Sequence, residues 1–281
     1  MEDAKTVGVI GIGFVGSAVV HSLKTKGVTV AEYDLHKPSG TFEDAASCDV
    51  VFLCLPTQYD EREKRYDTRA LEVTCKSLSE SEFAGVALVK STVEPGTTQR
   101  LSESYPRLQL IHNPEFLTAA TAQRDFDNQG HVVLGSASNV RFPATRLVEA
   151  FYARHYPRAV VSKCTSTESE SMKIFANSFY AVKIQFFNEM YAVCQKTGAD
   201  YDKVRDMIMR NGWVNPMHTS VPGTDGKLSY GGLCFPKDTS ALLAFMERLG
   251  TPKAVLQATV EERNQMREDK WNVIREEERD G

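Results

Sequence analysis

Residues 7–27, VGVIGIGFVGSAVVHSLKTKG, constrain this chain more than any other stretch. A short apolar run of strand type meets Gly11, Gly13 and Gly16, and Val15, Val19, Val20 and Leu23 then recur at helical spacing as far as Gly27. Strand, glycine turn and helix start therefore follow one another within about twenty residues. Each glycine has its own reason: Gly11 permits the sharp turn, Gly13 lets backbone approach a pyrophosphate, and Gly16 lets the helix pack close on the strand. The helix N-terminus, with Phe14 and Val15 in its first turn, offers free N–H groups and a positive dipole end to the phosphates. A second apolar run, GVTVAEYD, ends in Asp34, where a carboxylate accepts hydrogen bonds from ribose hydroxyls and repels a 2′-phosphate. NAD is thus expected over NADP, with Lys37 nearby acting in the opposite sense. For the three glycines alone a plain turn is the alternative; strand, helix and Asp34 in register favour dinucleotide binding.

Further apolar runs occupy 49–57, 85–93, 108–116 and 131–136. Continuous Val, Leu and Ile suit strands covered on both faces, which predicts an α/β fold built on a doubly wound parallel sheet. Ligands in such sheets lie beyond the strands' carboxyl ends, which singles out Pro56, Thr57, Ser91, Thr92 and Asn113–Glu115. Thr57 and Ser91 read equally well as caps of following helices. From Thr167 to Lys196, Met172, Phe175, Phe179, Val182, Phe186, Met190 and Val193 recur at helical steps without Pro or Gly, which predicts one long helix of about 45 Å, enough for a subunit interface. The expected division is 1–165 for a dinucleotide-binding domain and 166–281 for a helical domain that also dimerises.

With 25% charged residues and a net charge of −4, the chain lacks the basic excess that nucleic-acid binding needs. Its longest apolar stretch is too short and too glycine-rich to cross a membrane, and MEDAKTVGVI does not read as a signal peptide. Cys48, Cys54, Cys75, Cys164, Cys194 and Cys234 form no C-x-x-C pair, so reduced thiols in a cytoplasmic setting are expected, with no metal site.

On the long helix, Lys173 and Asn177 stand four residues apart, an arrangement able to polarise an oxygen and hold developing negative charge. A solvated surface pair is the alternative, and Lys183, Asn188 and Glu189 read as surface or interface residues. The stretch PGTDGKLSYGGLCFPKD delivers Cys234 beside Lys237 and Asp238 at the start of another helix. A thiol there has a depressed pKa and is a competent nucleophile. The alternative of a small buried core residue suits Cys54 and Cys194 better than Cys234.

Taken in order, GIGFVG with Asp34, KSTVEPGTT, NPEFL, ESMKIFANSFYAVKIQFFNE and YGGLCFPKD closely resemble the blocks of the nucleotide-sugar dehydrogenases typified by UDP-glucose 6-dehydrogenase. The resemblance implies a Rossmann-like domain followed by an all-helical dimerisation domain with one long central helix. It also implies oxidation of a sugar primary alcohol to the acid with two NAD, UDP-glucose being the default substrate and a homodimer through 167–196 the default assembly. Cys234 would carry a thiohemiacetal and then a thioester; Lys173 and Asn177 would stabilise oxyanions; Asp238, with water and Lys173, would move the first proton; Glu115 would assist thioester formation and hydrolysis; Thr92 would order water near the cofactor. Pro56, Thr57, Ser91, Thr92 and Lys237 would line the cofactor, and Glu115, Phe116, Leu117, Lys173, Asn177, Tyr230, Gly231 and Gly232 the substrate. The chain departs from the family pattern at Ala119, where a second glutamate is usual, in the lack of a basic counterpart within LHKPSG, and in the inserted TDGKLS, with His218 and Lys227 as candidates to enclose the nucleotide. Two rival readings are a single-step hydroxyacid dehydrogenase, which has no use for the thiol, and a cofactor-binding protein without turnover.

Overall fold

The computed structural model describes residues 4–118, 121–269, 271 and 273–274, which divide into two compact units. One comprises Met1–Thr57 and Asp67–Lys173, the other Gln58–Tyr66 and Ile174–Gly281.

The strands are β1 (Val7–Ile10), β2 (Val30–Tyr33), β3 (Val50–Leu53), β4 (Tyr59–Asp60), β5 (Arg65–Tyr66), β6 (Val86–Val89), β7 (Gln109–His112), β8 (His131–Ser136), β9 (Val160–Thr165) and β10 (Val273–Ile274). The helices are α1 (Phe14–Thr25), α2 (Phe42–Ala46), α3 (Arg69–Glu80), α4 (Thr97–Ser104), α5 (Ala122–Asp127), α6 (Phe142–His155), α7 (Ser166–Thr197), α8 (Tyr201–Arg210), α9 (Phe235–Leu249) and α10 (Ala254–Met266).

The first unit is a seven-stranded sheet in the order β2-β1-β3-β6-β7-β8-β9. Successive strand residues point to opposite faces, and both faces are apolar. Val7, Val9, Phe52, Leu88 and Ile111 join Leu23, Phe126 and Phe151 in one core, while Ile10, Val51, Leu53, Val89 and Leu110 join Leu71, Leu78 and Leu101 in the other. Two buried faces account for the unbroken apolar runs of β1, β3 and β6. One junction departs from parallel: β8 runs antiparallel to β7, with His112 opposite Gly135, and β9 then runs parallel to β8. The strand β9 had no separate expectation in the sequence.

Helix α7 begins as β9 ends. Glu168 Oε2 accepts the Thr165 N–H at 2.8 Å and Thr165 Oγ1 accepts the Glu168 N–H at 3.3 Å, a reciprocal capping pair. A Cβ on Gly135 would lie 2.4 Å from Ser169 Cβ, so only glycine lets the first turns of α7 sit this close to β8. Buried Glu170 accepts the N–H groups of Gly96 (2.6 Å) and Thr98 (2.7 Å) at the start of α4. These contacts fix where Lys173 emerges.

The second unit is helical apart from a three-stranded ribbon, β10-β4-β5, supplied partly by residues 58–66. Tyr59 and Tyr66 from the ribbon pack with Ile174, Ala241, Leu242 and Leu256. Helix α9 has Pro236 in its first turn and ends at Gly250 with φ +66°, the start and stop residues that helices favour. No described helix is long and apolar enough to cross a membrane.

Candidate active site

The glycine turn after β1 is shaped by close approach. Gly11 has φ +91°, and a Cβ there would lie 2.5 Å from the Cys54 carbonyl oxygen; a Cβ on Gly16 would lie 1.9 Å from the Gly11 oxygen. Gly13 is different, because a Cβ there meets no protein atom within 4 Å. Its space is open beside the first turn of α1, whose N-cap it is without any side-chain cap. That cradle, with uncapped helix N–H groups, fits the pyrophosphate of NAD. Asp34 Oδ2 accepts the Ile12 N–H at 2.7 Å and Oδ1 accepts the His36 N–H at 2.9 Å. Burial pushes this carboxyl up, but the two N–H groups together with Lys37 and His36 outweigh it and hold Asp34 below the usual carboxylate range. The Lys37 ammonium itself donates to the Ile12 carbonyl.

At the carboxyl ends of β3 and β6, Thr57 Oγ1 donates to the Thr92 carbonyl (2.8 Å) and Ser91 Oγ to the Leu55 carbonyl (2.6 Å). Neither hydroxyl caps a helix; both stitch neighbouring loops together. Beyond β7, Glu115 Oε2 accepts the Leu117 N–H at 2.6 Å, while Lys173 Nζ donates to the Glu115 carbonyl at 2.5 Å and stands 3.3 Å from Oε1. Lys173 is 4% exposed, so the reading of it as a solvated surface lysine fails. Phe116 is exposed, stacks on His131 at 5.8 Å between ring centroids, and lies 5.3 Å from Lys173 Nζ. Glu115, Phe116 and Leu117 line a cavity of about 610 Å³ with Arg124, Phe126 and His131.

In the second unit Asp238 is a hub. Its Oδ1 accepts Tyr66 Oη and Lys237 Nζ, both at 2.5 Å, and its Oδ2 accepts Asn177 Nδ2 at 2.6 Å. All four side chains avoid water, Asn177 at 7% exposure included. Lys237 therefore turns inward to Asp238, its ammonium 4.5 Å from the Tyr66 ring centroid. Asp238 lies four residues beyond Cys234, its N–H donating to the Cys234 carbonyl at 2.9 Å. Cys234 occupies the N-cap position of α9 and is exposed. Cys194, by contrast, is buried in α7.

The loop leading to Cys234 is anchored from behind. Ser229 Oγ donates to Gln185 Oε1 (2.6 Å), the Ser229 N–H donates to Asn188 Oδ1 (2.8 Å), and Arg263 Nε donates to the Tyr230 carbonyl (3.2 Å). Asn188 is thus a buried loop anchor rather than a surface residue. Tyr230 is 2% exposed and its hydroxyl meets Thr239 Oγ1, so its side chain packs inward. Gly231 lies flat against Arg267, where a Cβ would be 2.1 Å from the guanidinium, whereas Gly232 opens to free space at φ +77°. Within the inserted TDGKLS, Asp225 pairs with Arg267, which Asp269 also holds. His218 packs between Tyr180 (4.9 Å) and Phe235 (5.5 Å), the residue after Cys234, while Lys227 is exposed. Ala119 lies outside the described residues.

Residues 35–155 match the NAD binding domain of the UDP-glucose/GDP-mannose dehydrogenase family, and residues 167–265 match its central domain. The chain belongs to the UDP-glucose/GDP-mannose dehydrogenase family. It is 32% identical over 232 residues to UDP-glucose 6-dehydrogenase of Pseudomonas aeruginosa, which spans 79% of this chain and 49% of that protein. A Bacillus subtilis UDP-glucose 6-dehydrogenase is 29% identical over 228 residues, 78% of this chain and 47% of its own. The chain thus spans about half the length of these curated relatives. The fold matches a UDP-glucose dehydrogenase structure from Pyrobaculum islandicum with a TM-score of 0.82, at 24% identity over 94% of this chain and 68% of that one. As a family member the chain takes NAD as its cofactor.

Sequence reasoning passed over several buried polar residues near these groups. Tyr66 carries no motif and reaches Asp238 only because residues 58–66 belong to the second unit. Lys90 closes the apolar run VALVK and was open to notice as a charge at the end of a buried strand. Arg263 and Arg267 sit among ordinary charged residues of α10 and just beyond it, where nothing in the pattern marks them as buried.

Proposed function

We propose that this family member oxidises the primary alcohol of a nucleotide sugar to the uronate, with UDP-glucose the first substrate to test. The observation that carries the reading is the Asn177–Asp238–Lys237–Tyr66 set at the start of the helix whose N-cap is the exposed thiol of Cys234. Bound NAD supplies a hydride acceptor for each of two successive oxidations. Lys173 and Asn177 stabilise the alcohol oxygen as it loses its proton, and Asp238 holds the Asn177 amide. Cys234 Sγ adds to the aldehyde carbon and retains it as a thiohemiacetal, whose oxidation leaves a thioester. Glu115, fixed by Lys173 and the Leu117 N–H, serves as base for the water that releases the acid. Thr92 is the residue assigned to order that water, and Pro56, Thr57 and Ser91 shape the cofactor site through backbone, the hydroxyls of Thr57 and Ser91 being committed to other carbonyls. Gly232 leaves room for the sugar beside the thiol.

The first unit acts as the cofactor domain and the second as the helical, dimerising one. Phe175, Phe179, Phe186 and Val193 lie along one side of α7 and are each more than half exposed. Such a stripe suits a homodimer through residues 167–196. A thiol nucleophile has to stay reduced, which fits a cytoplasmic setting.

The test is a panel of nucleotide sugars, among them UDP-glucose, GDP-mannose and an N-acetylhexosamine derivative, assayed with NAD. Two NADH per sugar and a uronate product are expected, with Cys234→Ser forming no uronate. One NADH per substrate would instead establish a single-step dehydrogenase, and full four-electron turnover by Cys234→Ser would refute the covalent route.

A further inference from the structure

Lys90 has no part in the chemistry above, yet it is a lysine placed almost wholly out of water. It follows β6, is 2% exposed, and its Nζ donates to Asn113 Oδ1 and to the Pro114 carbonyl, each at 3.2 Å, with the Phe126 ring centroid 5.4 Å away. Both acceptors are uncharged, and a buried ammonium held only by neutral acceptors is costly in free energy. The surroundings suggest what that cost sustains. Asn113 Oδ1 also accepts Tyr152 Oη at 2.5 Å, Asn113 Nδ2 donates to the Val133 carbonyl at 2.8 Å, and the Asn113 N–H donates to the Val89 carbonyl at 2.8 Å. Successive carbonyls are then clamped by two different ammonium groups, Pro114 by Lys90 and Glu115 by Lys173.

Charge balance makes the same point. The titratable groups facing Lys90 are Cys54, His112, Tyr152, Glu115 and Lys173. Burial pushes the Cys54 thiol up to about 12 and Tyr152 well above its usual value, and it pushes His112 down to about 3, so all three are neutral at pH 7. Two lysines and one carboxylate remain, leaving one buried positive charge in excess. If Lys90 were neutral, Glu115 would offset Lys173 completely and nothing would remain for an oxyanion.

We infer that Lys90 is a positioning residue for the oxidation: it holds the Asn113–Glu115 turn in shape and supplies, behind Glu115, the second buried positive charge that frees Lys173 to meet an oxyanion. This rests on the role given to Lys173 above. Burial, with the Lys173 charge opposing Cys54 and Glu115, draws the Lys90 ammonium down to about 8, so the second charge is present at neutral pH and lost as pH rises past 8.

The experiment compares wild type with Lys90→Met, a neutral side chain of similar length. The variant is expected to melt no lower than wild type, to keep KM for the sugar within threefold, and to lose at least tenfold in kcat at pH 7. The wild-type-to-variant ratio of kcat should shrink between pH 7 and 9 as wild type loses the same charge; a constant ratio, or kcat within twofold at pH 7, overturns the inference. A readout that needs no turnover is lysine NMR with ¹³C at Cε, the Lys90 signal being the one absent from Lys90→Met. It should titrate near 8, rising in Lys173→Met and falling in Glu115→Gln; a midpoint above 10 that neither variant moves overturns the charge pairing. Wild type that oxidises no nucleotide sugar refutes the reaction proposed above, while the charge pairing is then judged on this titration alone.

Discussion

Removing the Asp238 carboxylate tests most directly whether the hub is held as described. In Asp238→Ala the ammonium of Lys237, whose side chain is 7% exposed, loses its counter-ion, and the Tyr66 hydroxyl and Asn177 amide lose their acceptor. Breaking a buried ion pair by deleting one partner costs about 3–5 kcal/mol, and each orphaned buried donor about 1–3 kcal/mol. These terms overlap, so about 4 kcal/mol is expected for the variant. A melting temperature lower by roughly 10–20 °C follows for a unit of this size, at a few degrees per kcal/mol. The informative partner is the double variant Asp238→Ala/Lys237→Met. With the stranded charge also gone, only the two orphaned donors and a small cavity remain, so the double variant should recover about 2 kcal/mol relative to Asp238→Ala alone. Urea unfolding followed by far-UV circular dichroism gives all four corners of the cycle, provided the m-values agree. A double variant less stable than Asp238→Ala, or a single variant within about 1 kcal/mol of wild type, would refute the claim that Asp238 neutralises Lys237 in the folded chain.

Three further outcomes are expected. Gly13→Ala should fold within about 1 kcal/mol of wild type, because its Cβ meets no protein atom, yet bind NAD at least tenfold more weakly by calorimetry. Gly16→Ala, whose Cβ would sit 1.9 Å from the Gly11 oxygen, should instead lose several kcal/mol, so equal melting of the two variants would contradict this division of labour. His112, fully buried with Nδ1 2.7 Å from Ser169 Oγ and its pKa pushed down by burial to about 3, binds a proton in the unfolded chain well before the folded one. Its contribution is complete above pH 6.5 and lost as pH falls, by about 1.4 kcal/mol per pH unit down to about 3; chemical denaturation at pH 7 and pH 5 should show a shallower loss in His112→Gln. Phe179→Glu with Phe186→Glu should convert a dimer to a monomer in sedimentation velocity without lowering NAD affinity, and an unchanged sedimentation coefficient would remove α7 from the interface.

How much of this was legible depended on whether the physical cause was local. The turn at Gly11–Gly16 is specified within one short strand–helix segment, so spacing alone foretold its shape, and Asp34 lies beside it, accepting the Ile12 N–H. The long helix, expected over Thr167–Lys196 and found over Ser166–Thr197, is likewise a local matter of periodicity, and even its start is explained by the Thr165–Glu168 pair. The antiparallel β8, by contrast, is chosen by how its β7 edge is met, and His131–Ser136 looks the same in either direction. The ribbon from residues 58–66 was hidden for another reason: two-residue strands carry no period, and their apolar partners lie more than a hundred residues away in α7, α9 and α10.

The site divides along the same line. Lys173, Asn177 and Cys234 stood out as a charge, an amide and a thiol among mostly apolar or glycine neighbours, and Asp238 as the carboxylate that follows Cys234 and Lys237 into a helix start. What local setting does not disclose is direction. Lys237 faces Asp238, and Thr57 and Ser91 spend their hydroxyls on backbone. Tyr230 is turned inward, held through its own carbonyl by Arg263 and through its hydroxyl by Thr239. In each case the side chain answers a buried polar group, adjacent Asp238 for Lys237, Thr239 for Tyr230, and carbonyls of another strand end for Thr57 and Ser91, and leaving that group unpaired would cost more than the exposed contact assigned from sequence could return. Residues nominated by a motif are therefore best regarded as nominations of backbone position. Which of them point at a ligand follows from satisfying every buried donor and acceptor first; of the glycines that the motifs nominated, Gly13 and Gly232 are then the ones with open space beside them, while Gly11, Gly16 and Gly231 are closed by neighbouring atoms.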